Sequence, residues 1–361
     1  MTRAIAGIDP HQDSFTIGIV DEHGVEVCNE AFPNTGAGYV DGLELLAHHR
    51  VQMVGIECSA KWGAHVAIAV VAAGLDAREI PSSRSAAQRR SRRLGKTDAV
   101  DAVACARALQ AEPDLGGVQT LEVYDSLVAK IEAVLEHRKA LVANRTLMLH
   151  HVGDQIAKLP TALRDQLTAT GKIEGRLRRL ESVEIPSELS ESGKYRIQWL
   201  QDFIEQDRRA RREIRSLERY LGELMDEHGT TLREEPGVGP IAAATLLCEV
   251  GDPFRFASES KFARWSGTGA VALSSGEGIG RPVRHRLDFG GNRTINSVLY
   301  MASITQSRLE PKAQEYLERK KSEGKTPRAA RRAHKRQLSN RIIRRMWRDE
   351  KARTQPKQLA A

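Results

Sequence analysis

In Ile5-Ala6-Gly7-Ile8-Asp9-Pro10 the residues alternate, so that Ile5, Gly7 and Asp9 face one way and an acid closes an otherwise apolar run. Phe15, Ile17 and Ile19 give a second short run, Asp21-Glu22-His23-Gly24 makes a turn, and Val25 to Phe32 completes a three-stranded meander. Beyond it Val51 to Ile56 reads as a buried strand, Ala60 to Ala73 as a helix, and Ala77 to Ile80 as a further strand closed by Pro81. Strands that lead into a strand, helix, strand unit build a mixed sheet carrying helices, an α/β domain.

That arrangement is the one expected of a ribonuclease-H-like domain. The whole chain has 361 residues, which at roughly 150 residues per domain suggests two or three units. Hydrophobic residues make up 40%, aromatics only 5% and charged residues 28%, a balance that favours Ala- and Leu-packed helices over a large β-sandwich. A net charge of +8 surrounds the molecule with a positive field, for which a polyphosphate is the simplest partner and a merely soluble basic protein the alternative. Cys28, Cys58, Cys105 and Cys248 have no paired spacing, which argues against a zinc site or a disulfide framework and for a reducing compartment. No apolar run of signal-peptide length follows Arg3, and no segment approaches the roughly 18 apolar residues of a membrane span. The expectation is a mature, cytoplasmic protein with no membrane partner.

From Leu121 to Leu159 the spacing becomes heptad-like, through Leu121, Tyr124, Val128, Ile131, Leu135, Val142, Leu149, Val152, Ile156 and Leu159, interrupted by Arg138 and Arg145. Pro160 ends this helix, and Leu200, Phe203, Ala210, Ile214, Leu217, Leu221 and Leu224 restart the pattern. The two helices can pair as an antiparallel arm, as a dimerisation coiled coil, or as ordinary bundle helices. After Gly229 comes a glycine-punctuated region up to Tyr300 and then a strongly basic tail, from Arg319 to Arg353. The tail is either a salt-sensitive nucleic-acid contact or a solvated helix.

Four acids stand out. Asp9 closes the first strand, Glu57 stands just past Val51 to Ile56, and Asp98 and Asp101 are spaced to share one face of a helix start. Hard divalent cations take oxygen ligands, and metals stabilise the attacking and leaving oxygens of phosphoryl transfer. Taken alone, Asp98 and Asp101 are better explained by the positive end of a helix dipole, and it is Asp9 and Glu57 at strand ends that favour the metal reading. Just before them, Arg84, Arg89, Arg90, Arg92, Arg93 and Lys96 form a charge run that is either a solvated face or a guide for a phosphate backbone.

Gly7-Ile8-Asp9, Ile56-Glu57 and above all Lys96-Thr97-Asp98-Ala99-Val100-Asp101-Ala102 resemble the three acidic motifs of the insertion-sequence 110 family, the DEDD transposases. The resemblance implies a RuvC-like, ribonuclease-H-type metal-binding domain over residues 1–118, whose Asp9, Glu57, Asp98 and Asp101 hold Mg2+, with Mn2+ as an alternative ion. It runs from about residue 4 to about residue 305, leaving 119–229 as a helical, coiled-coil linker and 230–361 as a mainly α transposase domain with the basic tail. Glu235-Pro236-Gly237-Val238-Gly239-Pro240 looks like a helix-hairpin-helix element, in which Gly237 and Gly239 would let backbone N–H groups approach a phosphate, or else a plain loop between helices.

Phe262-Ala263-Arg264-Trp265-Ser266-Gly267 followed by Ser274-Ser275-Gly276 resembles the family's transposase domain, which makes Ser275 the nucleophile. Arg281, Arg284, Arg286 and Arg293 then read as contacts to DNA or to charge developing on phosphorus. The family places an arginine–glycine pair sooner after the serine; the loop here is longer, and Gly291-Asn292-Arg293 matches again. The implied protein is a transposase that cuts and rejoins donor and target DNA through a phosphoserine link, guided by a structured non-coding bridge RNA. It would work as a homo-oligomer, dimer or tetramer, and associate with the nucleoid. Two other readings stand beside it: a RuvC-like nuclease or resolvase without a serine nucleophile, and a non-enzymatic nucleic-acid-binding scaffold.

Overall fold

The computed structural model describes residues 4–59, 61–92, 95–118, 126–168, 171–272, 285–287 and 291–354, with backbone alone for 271, 272 and 285–287. Strands β1 (Ile5–Pro10), β2 (Ser14–Val20) and β3 (Glu26–Pro33) form the antiparallel meander. Helix α1 (Gly36–His48), β4 (Met53–Glu57), α2 (Ala64–Ala72) and β5 (Asp76–Ile80) follow, and β4 lies parallel to both β1 and β5. The sheet order is β3-β2-β1-β4-β5, the mixed α/β sheet that the alternating pattern calls for. On one face Ala6, Ile8, Phe15, Ile17 and Ile56 bury against Leu46, Val66 and Val70.

The other face is shaped by three glycines. Gly18, Gly7 and Gly55 sit opposite one another across β2, β1 and β4, and helix α4 (Asp98–Ala111) lies on the row they make. A Cβ on Gly7 would stand 2.1 Å from the Ala102 carbonyl oxygen, and one on Gly18 would stand 2.7 Å from the Val103 nitrogen. Only bare backbone permits this approach, because a methyl group cannot be accommodated at such distances. The helix answers with its own small residues, and Ala102, Cys105 and Ala106 are fully buried. Helix α3 (Ser82–Ser91), which begins the arginine run, packs along α4 rather than standing in solvent.

Residues 1–129 and 228–361 make one compact unit and residues 130–227 a second. The second unit contains most of α5 (Leu127–Ala157) and α8 (Glu191–His228), with α6 (Thr161–Thr168) and α7 (Ile173–Leu180) between them. Arg138 bonds Glu218 and Arg145 bonds Asp207, both at 2.6 Å, so positions rising along α5 meet positions falling along α8: the helices are antiparallel. Ile131, Arg138, Arg145 and Val152 are spaced by sevens, so the two arginines that interrupt the apolar stripe are each met by a carboxylate from the facing helix.

In the first unit the chain continues through α9 (Pro240–Val250), α10 (Glu259–Trp265), the short strands β6 (Ala270–Ala272) and β7 (His285–Leu287), α11 (Arg293–Leu309), α12 (Pro311–Ser322) and α13 (Pro327–Thr354). The basic tail spans the end of α12 and nearly all of α13, and α13 is a core element: Leu338, Ile342, Ile343 and Met346 are buried, while Arg341, Arg344 and Arg345 pair with Glu235, Glu259 and Glu234. The apolar stripe that makes this helix part of the core is hidden among arginines, of which Arg332 and Arg348 stay exposed on its outer side. The turn between α9 and α10 is tied to β5 by Arg255, 4% exposed, whose guanidinium donates to Glu79 at 2.6 Å and to the Gly117 carbonyl at 2.9 Å. Among the described residues no helix is long and apolar enough to cross a membrane.

Candidate metal centre

The glycine row decides where the acids go. In Gly7-Ile8-Asp9 and Gly55-Ile56-Glu57 an acid follows two residues after the glycine beneath α4. Two residues is one strand period, so each carboxylate stands on the same face as its glycine, and both lie at the carboxyl ends of the paired strands β1 and β4. Asp98 and Asp101 occupy the first turn of α4, capped by Thr97, whose Oγ1 accepts the Val100 N–H at 3.2 Å.

The four carboxylates share one electrostatic field. Burial pushes the Asp9 carboxyl up to about 6; His11 opposes the rise, and the charges of Glu57, Asp101 and Asp98 add to it. Burial likewise raises Asp101, with Arg89 opposing and Glu57 adding. Asp9 and Asp101 are each only 8% exposed. His11 Nε2 lies 3.4 Å from Asp9 Oδ2 and 3.2 Å from Asp98 Oδ1, and a donor atom from each of these three residues lies within 4.8 Å of the others.

Glu57 and Asp101 are held slightly apart from that group. Ser85 Oγ of α3 donates to Glu57 Oε2 at 2.7 Å. Arg89 Nη1, also on α3, stands 2.8 Å from Asp101 Oδ1, yet this buried oxygen accepts no hydrogen bond. The Arg89 guanidinium supplies the counter-charge at that oxygen. With a donor set of carboxylates and one imidazole, the arrangement fits a divalent cation.

Other residues expected to act are scattered. Arg90 and Arg92 are exposed at the end of α3 and Lys96 is exposed just before Thr97, whereas Arg93 lies outside the described residues. Gly237 has φ +82° and its α-carbon faces Ala302 and Thr305 of α11, so a packing contact already accounts for this glycine; Gly239 caps α9 and a Cβ there would meet open space. Arg293 is exposed at the start of α11. Arg286 belongs to β7, its side chain undescribed, and Ser275, Arg281 and Arg284 lie outside the described residues. Sequence reasoning missed His11 and Ser85. The spacing Asp9-Pro10-His11 was the available signal for the first; a lone serine in an arginine run gives none for the second.

Comparison with known proteins bears on this geometry. Residues 6–158 match the DEDD model of IS110-type sequences, described as "Transposase", and residues 229–318 match the "Transposase IS116/IS110/IS902 family". Over 114 residues the chain is 31% identical to the insertion element IS110 uncharacterized 43.6 kDa protein of Streptomyces coelicolor, covering 31% of this chain. The match spans about a quarter of that relative, 27% of its length. The T. thermophilus RuvC in complex with Holliday junction substrate is similar at 19% identity over 29% of this chain and 91% of its own, with a TM-score of 0.24, too low to carry an argument. Two family models, one over the acid-bearing domain and one over the C-terminal helices, agree on a single assignment: the chain belongs to the IS110 family of transposases.

Proposed function

We propose that this protein is a DNA transposase that cuts and rejoins strands, using a RuvC-like acidic site and a serine on the same chain. The observation that carries the reading is the gathering of Asp9, His11 and Asp98, a ligand atom from each within 4.8 Å of the others, in the shared electrostatic field of Glu57 and Asp101. Asp9, Glu57, Asp98 and Asp101 would hold the ion, Mg2+ by the hardness of their oxygens. When bound, it neutralises charge gathering on the scissile phosphate. Lys96, exposed and near enough to act on Asp101, suits a DNA backbone beside the acids, and the exposed Arg90 and Arg92 would extend the contact along it.

Ser275 is the nucleophile implied by the family. Its Oγ would bond phosphorus as its proton leaves, the P–O3′ bond would break, and the departing 3′ oxygen would take up a proton. Attack by a 3′-hydroxyl on the phosphoserine then reverses the sequence and joins a new strand, so no bond energy is lost to water. Donor and target DNA are the substrates, a structured bridge RNA the guide, and a dimer or tetramer bound at the nucleoid the working form.

A suicide substrate tests the chemistry. A nicked duplex carrying the ends of the protein's own element should trap wild-type protein covalently, with the phosphopeptide containing Ser275, and Ser275→Ala should give no adduct. Free 3′-hydroxyl products without adduct would instead identify a hydrolytic nuclease. DNA binding without any cleavage would identify a scaffold.

A further inference from the structure

His11 lies in the turn between β1 and β2, and that turn is built rather than loose. The His11 N–H donates to the Ser14 carbonyl at 2.7 Å. Asn34 Nδ2 donates to the carbonyls of His11 at 2.9 Å, Gln12 at 3.3 Å and Trp62 at 3.2 Å. Tyr39 Oη in turn donates to Asn34 Oδ1 at 2.8 Å. A single amide therefore ties together the segments that follow β1 and β4, the strands that end in Asp9 and Glu57. The imidazole is 46% exposed, so burial is not what keeps it over the acids.

A histidine between two carboxylates has two uses. Protonated, it is a counter-ion; neutral, its Nε2 lone pair is a metal donor. Nε2 is the atom that faces both Asp9 and Asp98, and the site already has one cationic side chain in Arg89, at Asp101. One ligand atom from each of Asp9, His11 and Asp98 lies within 4.8 Å of the others, the spacing at which a single ion can be held by all three.

The geometry points to His11 as a nitrogen ligand of the divalent ion, giving the centre a mixed nitrogen and oxygen donor set in place of an all-carboxylate one. This rests on the metal-site reading above. Imidazole suits first-row ions better than Mg2+, while carboxylates serve both. His11 therefore sets the metal preference of the site, tilting it towards Mn2+.

Pulsed electron paramagnetic resonance on the full-length protein with one equivalent of Mn2+ tests this without any activity readout. Wild type should show 14N coupling to the metal, and His11→Asn should lose it. Mn2+ affinity should fall about tenfold in the variant, and Mg2+ affinity, measured by competition, by clearly less. Circular dichroism establishes that the variant is folded. If Mn2+ binds in an Asp9-dependent way but 14N coupling is absent from wild type, or persists in His11→Asn, His11 is a counter-ion and the inference falls while the metal site stands. If Asp9→Asn leaves Mn2+ binding unchanged, the metal site itself is wrong and His11 falls with it.

Discussion

Asp9→Asn should make the metal-free protein more stable, although it removes a proposed ligand. The buried Asp9 carboxyl is raised from 3.8 to about 6, and a shift of that size corresponds to about 3 kcal/mol. Because the folded value lies above the unfolded one, the native state holds this proton more tightly. Stability therefore falls as pH rises between 3.8 and about 6, and the full penalty applies above that window. At pH ~7.5 in EDTA the asparagine variant should melt about 3–6 °C above wild type. Lowering the pH to ~5 should roughly halve the gap, as the wild-type carboxyl takes up its proton. A divalent cation should raise the melting temperature of wild type and leave the variant nearly unmoved, since a ligand that binds only the native state stabilises it. Thermal unfolding of the two proteins, with and without metal, measures all three effects. A variant that melts at or below wild type in EDTA at pH ~7.5 would refute the claim that this carboxylate is held against its solvation preference.

Three further outcomes follow from the packing. Gly7→Ala should destabilise by at least about 3 kcal/mol in denaturant titrations and weaken metal binding too, because its methyl would stand 2.1 Å from the Ala102 carbonyl oxygen and push α4 off the sheet; wild-type stability in that variant would show that α4 is free to move. Arg255→Ala should lose about 3–5 kcal/mol, since it strips Glu79 and the Gly117 and Glu249 carbonyls of a 4%-exposed partner; a loss below about 1 kcal/mol would place that pair in the class of surface bridges. Ser85→Ala should lower Mn2+ affinity about tenfold by releasing the Glu57 oxygen it holds at 2.7 Å, with little change in melting temperature, and unchanged affinity in calorimetry would remove Ser85 from the site.

The strands were legible as short apolar runs closed by turn residues, and because helices cover both faces of the sheet, β1, β2 and β4 are buried almost continuously rather than on alternate residues. Asp9 and Glu57 were legible because an acid at the end of an apolar strand has few structural excuses, whereas Asp98 and Asp101, at a helix start, stood out through the resemblance of their motif. What escaped was whatever depends on partners distant in sequence. Gly7, Gly18 and Gly55 become a single feature only once β2, β1 and β4 are in register, and nothing local announces that a helix will lie on them. The arginine run from Arg84 read as a solvated face or a phosphate guide, yet Ser85 is buried and Arg89 is turned towards Asp101, because α3 packs on α4. In α13 the apolar residues Leu338, Ile342, Ile343 and Met346 are separated by arginines, so composition outvoted periodicity. The heptad reading of α5 met its own exceptions correctly: Arg138 and Arg145 lie on the stripe, and Glu218 and Asp207 are waiting for them.

Strand cleavage of the element's own end sequences, assayed against divalent metal, bears most directly on the four-acid centre. Wild-type protein should cut with Mg2+ or Mn2+ and be silent in EDTA, and Asp101→Asn, still folded and still binding DNA, should be at least about a hundredfold slower. Cutting that persists in EDTA, or an Asp101→Asn protein as fast as wild type, would contradict it.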